Sequence, residues 1–84
     1  MCRNITTLRG LQPKATVEEI EAAARQYVRK VSGLNTSSSR TERTFERAVG
    51  KVAAATMELL AELPRGQRPP STSPPLRRIR AEPD

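Results

Sequence analysis

Residues 16–33 decide the fold and read Thr-Val-Glu-Glu-Ile-Glu-Ala-Ala-Ala-Arg-Gln-Tyr-Val-Arg-Lys-Val-Ser-Gly. Thr16 followed three residues later by Glu19 is a capping box, in which each residue satisfies a backbone N–H at the start of a helix. Gly33 supplies the left-handed residue that commonly ends a helix. The segment therefore predicts a helix with one apolar stripe, formed by Ile20, Ala23, Ala24, Tyr27, Val28 and Val31.

A second helical pattern occupies Ser39–Leu63, and Pro64 ends it. Its stripe consists of Phe45, Ala48, Val49, Val52, Ala55, Thr56, Leu59, Leu60 and Leu63. Gly50 interrupts this helix at a cost of about 1 kcal/mol relative to alanine. Two interpretations of Gly50 remain open: a tolerated surface glycine, or a point of close backbone approach to another element.

The short connector between the two patterns makes the helices antiparallel neighbours. Before them, Ile5, Leu8 and Leu11 recur every third residue, which indicates a short helical turn over the open end of the hairpin. We therefore predict an all-α fold, an antiparallel two-helix hairpin with a short N-terminal helical turn, in a small domain at residues 1–63. The proline- and arginine-rich stretch 64–84 has almost nothing apolar to bury, so we expect a disordered tail.

Composition narrows the function classes. The single Cys2 excludes an internal disulfide, and a chain without histidine has no Cys/His zinc site. No apolar run is long enough for a membrane span and no signal peptide is evident, so we expect a cytoplasmic protein away from membranes. The net charge of +6 permits binding to polyanions.

The N-terminal pentapeptide Met1–Ile5 and several later segments resemble a family of short, uncharacterised bacterial proteins, domain of unknown function 2277. The later segments are Thr7-Leu8, Pro13, Ala15-Thr16, Glu19-Ile20, Ala22–Ala24, Gln26, Val28–Lys30, Ser32-Gly33, Phe45, Arg47–Val49 and Val52–Ala55. Members often carry aromatic residues where this chain has Leu11 and Leu34, which keeps both positions apolar. The resemblance covers about residues 1–63 and implies no activity.

A second resemblance is to the layout of J-domains, co-chaperones in which a short first helix packs on an antiparallel hairpin. Leu8–Leu11, the helix from Ala15 and the helix around Phe45 follow this order. In J-domains the hairpin loop carries His-Pro-Asp, which stimulates a chaperone ATPase. Ser32–Leu34 stands at that position here, so the resemblance implies a J-like shell without that activity.

Arg40, Arg43, Arg47 and Lys51 lie at three-to-four spacing on the second helix, and Arg25 and Arg29 form a shorter row on the first. Like charges at this spacing repel, so the fold gains little from the arrangement. Such a row can contact phosphates without reading sequence, and these six residues are the candidate anion-binding site. The alternative interpretation is a solvated face, because Glu21, Glu42 and Glu46 are interspersed.

Cys2 is the candidate reactive thiol. Removal of Met1 would place its amine beside its thiol, and an N-terminal nucleophile can use its own amine as a base. The alternative is a small apolar residue packed beside Ile5.

These features predict a non-enzymatic protein-interaction module without a cofactor, whose partner is an unknown protein or a second copy of the chain. An alternative is a basic accessory protein that binds nucleic-acid phosphates. Thiol chemistry at Cys2 is a third hypothesis.

Overall fold

The computed structural model describes residues 5–34, 39–64 and 69–81, and these residues form helices but no β-strand. The helices are α1 (Val17–Ser32), α2 (Ser39–Glu62) and α3 (Pro75–Ala81). α1 and α2 pack against each other as the predicted hairpin, so the all-α prediction is confirmed.

Local sequence signals place both ends of α1. The Thr16 side chain accepts a hydrogen bond from the Glu19 N–H at 3.1 Å, and the Glu19 carboxylate accepts one from the Thr16 N–H at 2.8 Å. Gly33 adopts φ 73° and its N–H donates to the Arg29 carbonyl at 2.9 Å. The predicted capping box and left-handed cap are both confirmed.

The main cluster of buried residues in the described part of the chain is a seam between the two long helices. It is made of Ile20, Ala24 and Val28 from α1 and Phe45, Val49 and Ala53 from α2. Each set is one row at a spacing of four residues, which is narrower than a full amphipathic stripe. The wider predicted core is therefore wrong at its margins: Tyr27, Val31 and Leu59 are 49 %, 65 % and 55 % exposed.

The N-terminal segment folds as a turn rather than as the predicted helical turn. The Leu11 N–H donates to the Leu8 carbonyl at 3.4 Å, and Gly10 between them has φ 87°, which a right-handed helix excludes. Leu11 is buried and Leu8 packs on the core, but Ile5 remains exposed. The Arg9 guanidinium donates to the Pro64 carbonyl at 2.8 and 3.0 Å, which ties this turn to the end of α2.

The expectation of a disordered tail is wrong at Pro75–Ala81, which forms α3 and contacts α1. Pro74, just before α3, is buried, and Arg77 pairs with the buried carboxylate of Glu19. This short segment is ordered because Arg77 can pair with the buried carboxylate of Glu19 on α1.

Candidate functional site

One side of α2 points away from the core and carries most of the predicted basic row. We call it the outer face of α2. Its members are all exposed and comprise Arg40, Arg43, Arg47, Lys51, Ala54, Glu58, Ala61 and Glu62. At 100° per residue these positions centre on the direction opposite Phe45, Val49 and Ala53. The structure thus brings the four predicted cations of α2 together on one surface.

Charge is segregated along the outer face of α2. The four cations occupy the first half of the helix, and Glu58 and Glu62 occupy its last two turns, where no basic residue is present. The helix dipole favours the reverse distribution, with anions near the N-terminus and cations near the C-terminus. The stability of α2 therefore does not explain this arrangement.

Four charges of the outer face have no ion-pair partner among the described residues. Among the residues that the structure describes, Arg43, Arg47, Glu58 and Glu62 take part in no ion pair. Arg43 and Arg47 are like charges four residues apart, as are Glu58 and Glu62, and such pairs repel weakly. The outer face is therefore an exposed surface whose charges are available to another molecule.

Arg25 does not contribute to the outer face of α2, because its side chain makes contacts between α1 and α2. Its Nη1 and Nη2 atoms pair with the Glu46 carboxylate, with Nη2 at 3.0 Å from Oε1, and its Cζ lies 5.8 Å from the centre of the Phe45 ring. Hydrogen bonds from Arg25 are the main reason that the pKa of Glu46 is lowered. The same hydrogen bonds raise the pKa of Arg25, whose charge thus serves α1–α2 packing.

Arg29, the other candidate on α1, is exposed. Its charge helps to lower the pKa of Glu46, so it lies in the field of the same carboxylate. The two α1 arginines therefore do not extend the α2 row into one uniform basic patch.

Glu19 is a charged residue whose tertiary role the sequence did not reveal. It is 3 % exposed, and Arg77 donates to its two carboxylate oxygens at 2.9 and 3.0 Å. Burial acts to raise the pKa of Glu19, but hydrogen bonds from Thr16 and Arg77 outweigh it and lower the pKa. The capping motif signals only the local half of this arrangement, because Arg77 lies 58 residues further along the chain.

A shallow pocket opens beside Glu19 between α1 and the segment that leads into α3. It is lined by Thr6, Leu8, Glu19, Ala22, Ala23, Pro74, Pro75 and Leu76. The space in it that a water-sized sphere can occupy is about 10 Å³, far below the roughly 300–1,000 Å³ of small-molecule sites. The Thr6 hydroxyl is buried there without a hydrogen-bond partner in the structure, which suits a single water better than a substrate.

The part of the chain that the structure describes contains no cluster of three metal-ligating side chains. No helix within residues 5–34, 39–64 and 69–81 has the length and apolar character needed to cross a bilayer. Cys2, the candidate thiol, lies outside the described residues.

A family model described as "Uncharacterized conserved protein (DUF2277)" matches residues 1–82. The chain belongs to the DUF2277 family. The match includes α3 as well as the hairpin, so both Glu19 and Arg77 fall within the family region. No curated protein and no solved structure matches the chain in the other two comparisons.

The J-domain resemblance of this DUF2277 chain stays a prediction. At Ser32–Leu34, the position of the J-domain tripeptide, the Leu34 N–H donates to the Ser32 hydroxyl at 3.2 Å. The chain has no histidine, and the short first helix of that layout is replaced by the Leu8–Leu11 turn.

Proposed function

We propose that this DUF2277 chain is a non-enzymatic protein-interaction module that binds its partner through the outer face of α2. One observation carries the proposal. The outer face segregates cations from anions against the helix dipole and leaves Arg43, Arg47, Glu58 and Glu62 without ion pairs among the described residues. A complementary partner would convert these unfavourable charges into favourable contacts. A cytoplasmic location is part of the same proposal.

The two signs of charge favour a protein partner over a nucleic acid. A polyanion would be attracted to Arg43 and Arg47 but repelled by Glu58 and Glu62 further along the same face. A protein surface can present anions to one half and cations to the other, which is the usual form of electrostatic complementarity at interfaces.

Nucleic-acid binding is the second candidate, and the exposure of the basic half favours it. Arg40, Arg43, Arg47 and Lys51 are exposed and span about 17 Å of helix, enough to contact several phosphates. In this alternative only the first half of the outer face binds, and Glu58 and Glu62 contribute nothing.

Affinity purification distinguishes the two candidates. A tagged copy is produced in cells that naturally express the chain, and lysates are treated with nuclease before native capture. We expect a protein, including untagged copies of this chain, to remain bound after nuclease treatment and to be lost with R43E/R47E. The control variant K14E/K30E makes the same change in net charge away from the outer face and should retain that protein.

Two results would contradict the proposed function. One is capture of nothing that resists nuclease; the other is equal capture by wild type and R43E/R47E. Binding of a labelled DNA duplex is measured in parallel at increasing salt. Tight binding that weakens steeply with salt, and that E58R/E62R strengthens only slightly, would favour the nucleic-acid candidate instead.

A further inference from the structure

We propose that the outer face of α2 binds the outer face of a second copy of this chain, with the two α2 helices antiparallel across a two-fold axis. The inference rests on the proposed interaction function and names its partner.

The positions of the charges along α2 carry the inference. In an antiparallel pair of identical helices, residues equally far from the axis on opposite sides come to the same level. Arg47 and Glu58 are equally distant from the midpoint between Val52 and Ala53, and so are Arg43 and Glu62. A two-fold axis at this midpoint therefore brings each arginine to the level of a glutamate of the second copy, which gives four pairs of opposite charge, with Arg47 and Glu58 the most nearly face to face.

The centre of the outer face suits close approach of two helices. Ala54, next to the proposed axis, is small and exposed. Helices with small residues at their contact can approach to about 8 Å between axes. Glu58 of the second copy lies at the level of Arg47, about one turn from Lys51, so the long stem of Lys51 can reach toward that carboxylate.

Only the antiparallel orientation matches the charges. A parallel pair would set Arg43 against Arg43 and Glu62 against Glu62, which repels at both ends. The antiparallel pair also places the positive end of one helix dipole beside the negative end of the other. The order of charges along α2 is unfavourable within one helix, but in an antiparallel pair the basic half of each helix faces the acidic half of the other.

The dimer should be weak and sensitive to salt. Exposed ion pairs are individually worth little, and a contact through one helix face is smaller than a standard stable interface. We therefore expect association in the micromolar range or weaker at about 0.1 M salt. It should be largely lost at about 1 M salt, where the screening length falls from about 10 to about 3 Å.

Sedimentation velocity under reducing conditions, up to about 1 mM full-length protein, tests the proposal. Wild type and the control K14E/K30E should associate as concentration rises. R43E/R47E carries only acidic residues at the four paired positions, and E58R/E62R only basic ones, so each should be monomeric alone. Their equimolar mixture should associate, and so should the fourfold variant R43E/R47E/E58R/E62R, because both arrangements restore opposite charges.

A cross-linking measurement covers the case in which a charge variant fails to fold. In a Cys2→Ser background, Ala54→Cys should form a disulfide-linked dimer at low salt and much less at high salt. Glu18→Cys, exposed on α1, serves as the control and should not cross-link.

Three results would overturn the second-copy inference: a monomeric wild type at about 0.1 M salt, R43E/R47E that dimerises like wild type, or no restoration in the mixture and the fourfold variant. Loss of the dimer does not by itself contradict the proposed function. If affinity purification recovers a different protein through the outer face, the interaction function stands and only the identity of the partner is wrong.

Discussion

Arg77 holds the carboxylate of Glu19 with two hydrogen bonds, from Nε to Oε2 at 3.0 Å and from Nη2 to Oε1 at 2.9 Å. Oε1 also accepts the N–H of Thr16 at 2.8 Å, so the residue that caps α1 also anchors α3. Two parallel bonds between guanidinium and carboxylate fix orientation as well as distance. The ion pair thus joins α3 to the start of the hairpin.

Removing Arg77 should destabilise the whole fold. Arg77→Gln leaves the nearly buried carboxylate of Glu19 without its cation, and we expect a loss of about 2 kcal/mol in the free energy of unfolding. The loss stays below that of a fully buried pair because the Arg77 side chain is 21 % exposed. Urea unfolding measures it, with Lys30→Gln as an exposed control that should change stability by less than about 0.5 kcal/mol. Equal stability of the two variants would show that α3 does not support the hairpin.

Acid should remove the stabilisation that ionised Glu19 provides. Its pKa in the folded chain lies below the ordinary value of 4.5, because bonds from Thr16 and Arg77 outweigh the opposing effect of burial. A lowered pKa stabilises the fold fully above the ordinary value, and this contribution is lost as pH falls through the folded pKa. Glu19→Gln should therefore be less stable than wild type at neutral pH, and the gap should narrow below about pH 4.5. Urea midpoints across this range test the prediction, which a gap independent of pH would contradict.

Gly50→Ala should stabilise the protein by about 1 kcal/mol, since alanine is the better helix former. A Cβ at Gly50 would meet no atom within 4 Å, so the fold offers no steric objection. Gly33→Ala provides the contrast: that site is equally open, but its φ of 73° strains any residue with a Cβ, and stability should fall. Thermal melting of dilute protein compares them, and a destabilising Gly50→Ala would indicate an approach to α2 that the structure does not show.

The two aromatic residues should differ sharply in their importance to the core. Phe45 is 7 % exposed and Tyr27 is 49 % exposed. Phe45→Ala should cost about 3–5 kcal/mol and leave a domain of this size largely unfolded, as far-ultraviolet circular dichroism would show. Tyr27→Ala should keep its helical signal. A folded Phe45→Ala variant would mean that the seam between α1 and α2 is not the main source of stability.

Most of the hairpin could be predicted from the sequence because its signals are local. The Thr16–Glu19 capping box and Gly33 act within one turn of the residues they cap, and their roles were confirmed. The N-terminal turn was harder, since spacing alone does not reveal that Gly10 takes a positive φ. The order of Pro75–Ala81 was not predicted because composition indicates only how much apolar surface a segment can bury. It does not reveal that Arg77 forms an ion pair with Glu19 of α1.

The candidate site, like the fold, could be predicted from the sequence only in part. Sequence spacing found the row of cations on α2, and exposure in the structure agrees with a surface position. It could not separate Arg25 from that row, because the Glu46 carboxylate that binds Arg25 is 21 residues away on the opposite helix. It also missed the significance of Glu58 and Glu62, which became apparent once the outer face was seen as a whole.

The sequence by itself determined where the two long helices run and where α1 begins and ends, since caps and periodicity act over a few residues. Tertiary structure decided which charged residues form ion pairs within the fold and which remain exposed on its surface. Arg25 pairs with Glu46 and Arg77 with Glu19, whereas Arg43 and Arg47 form no ion pair with any residue that the structure describes. The physical reason is that an ion pair depends on distance in space, and packing alone brings together residues that are far apart in the chain.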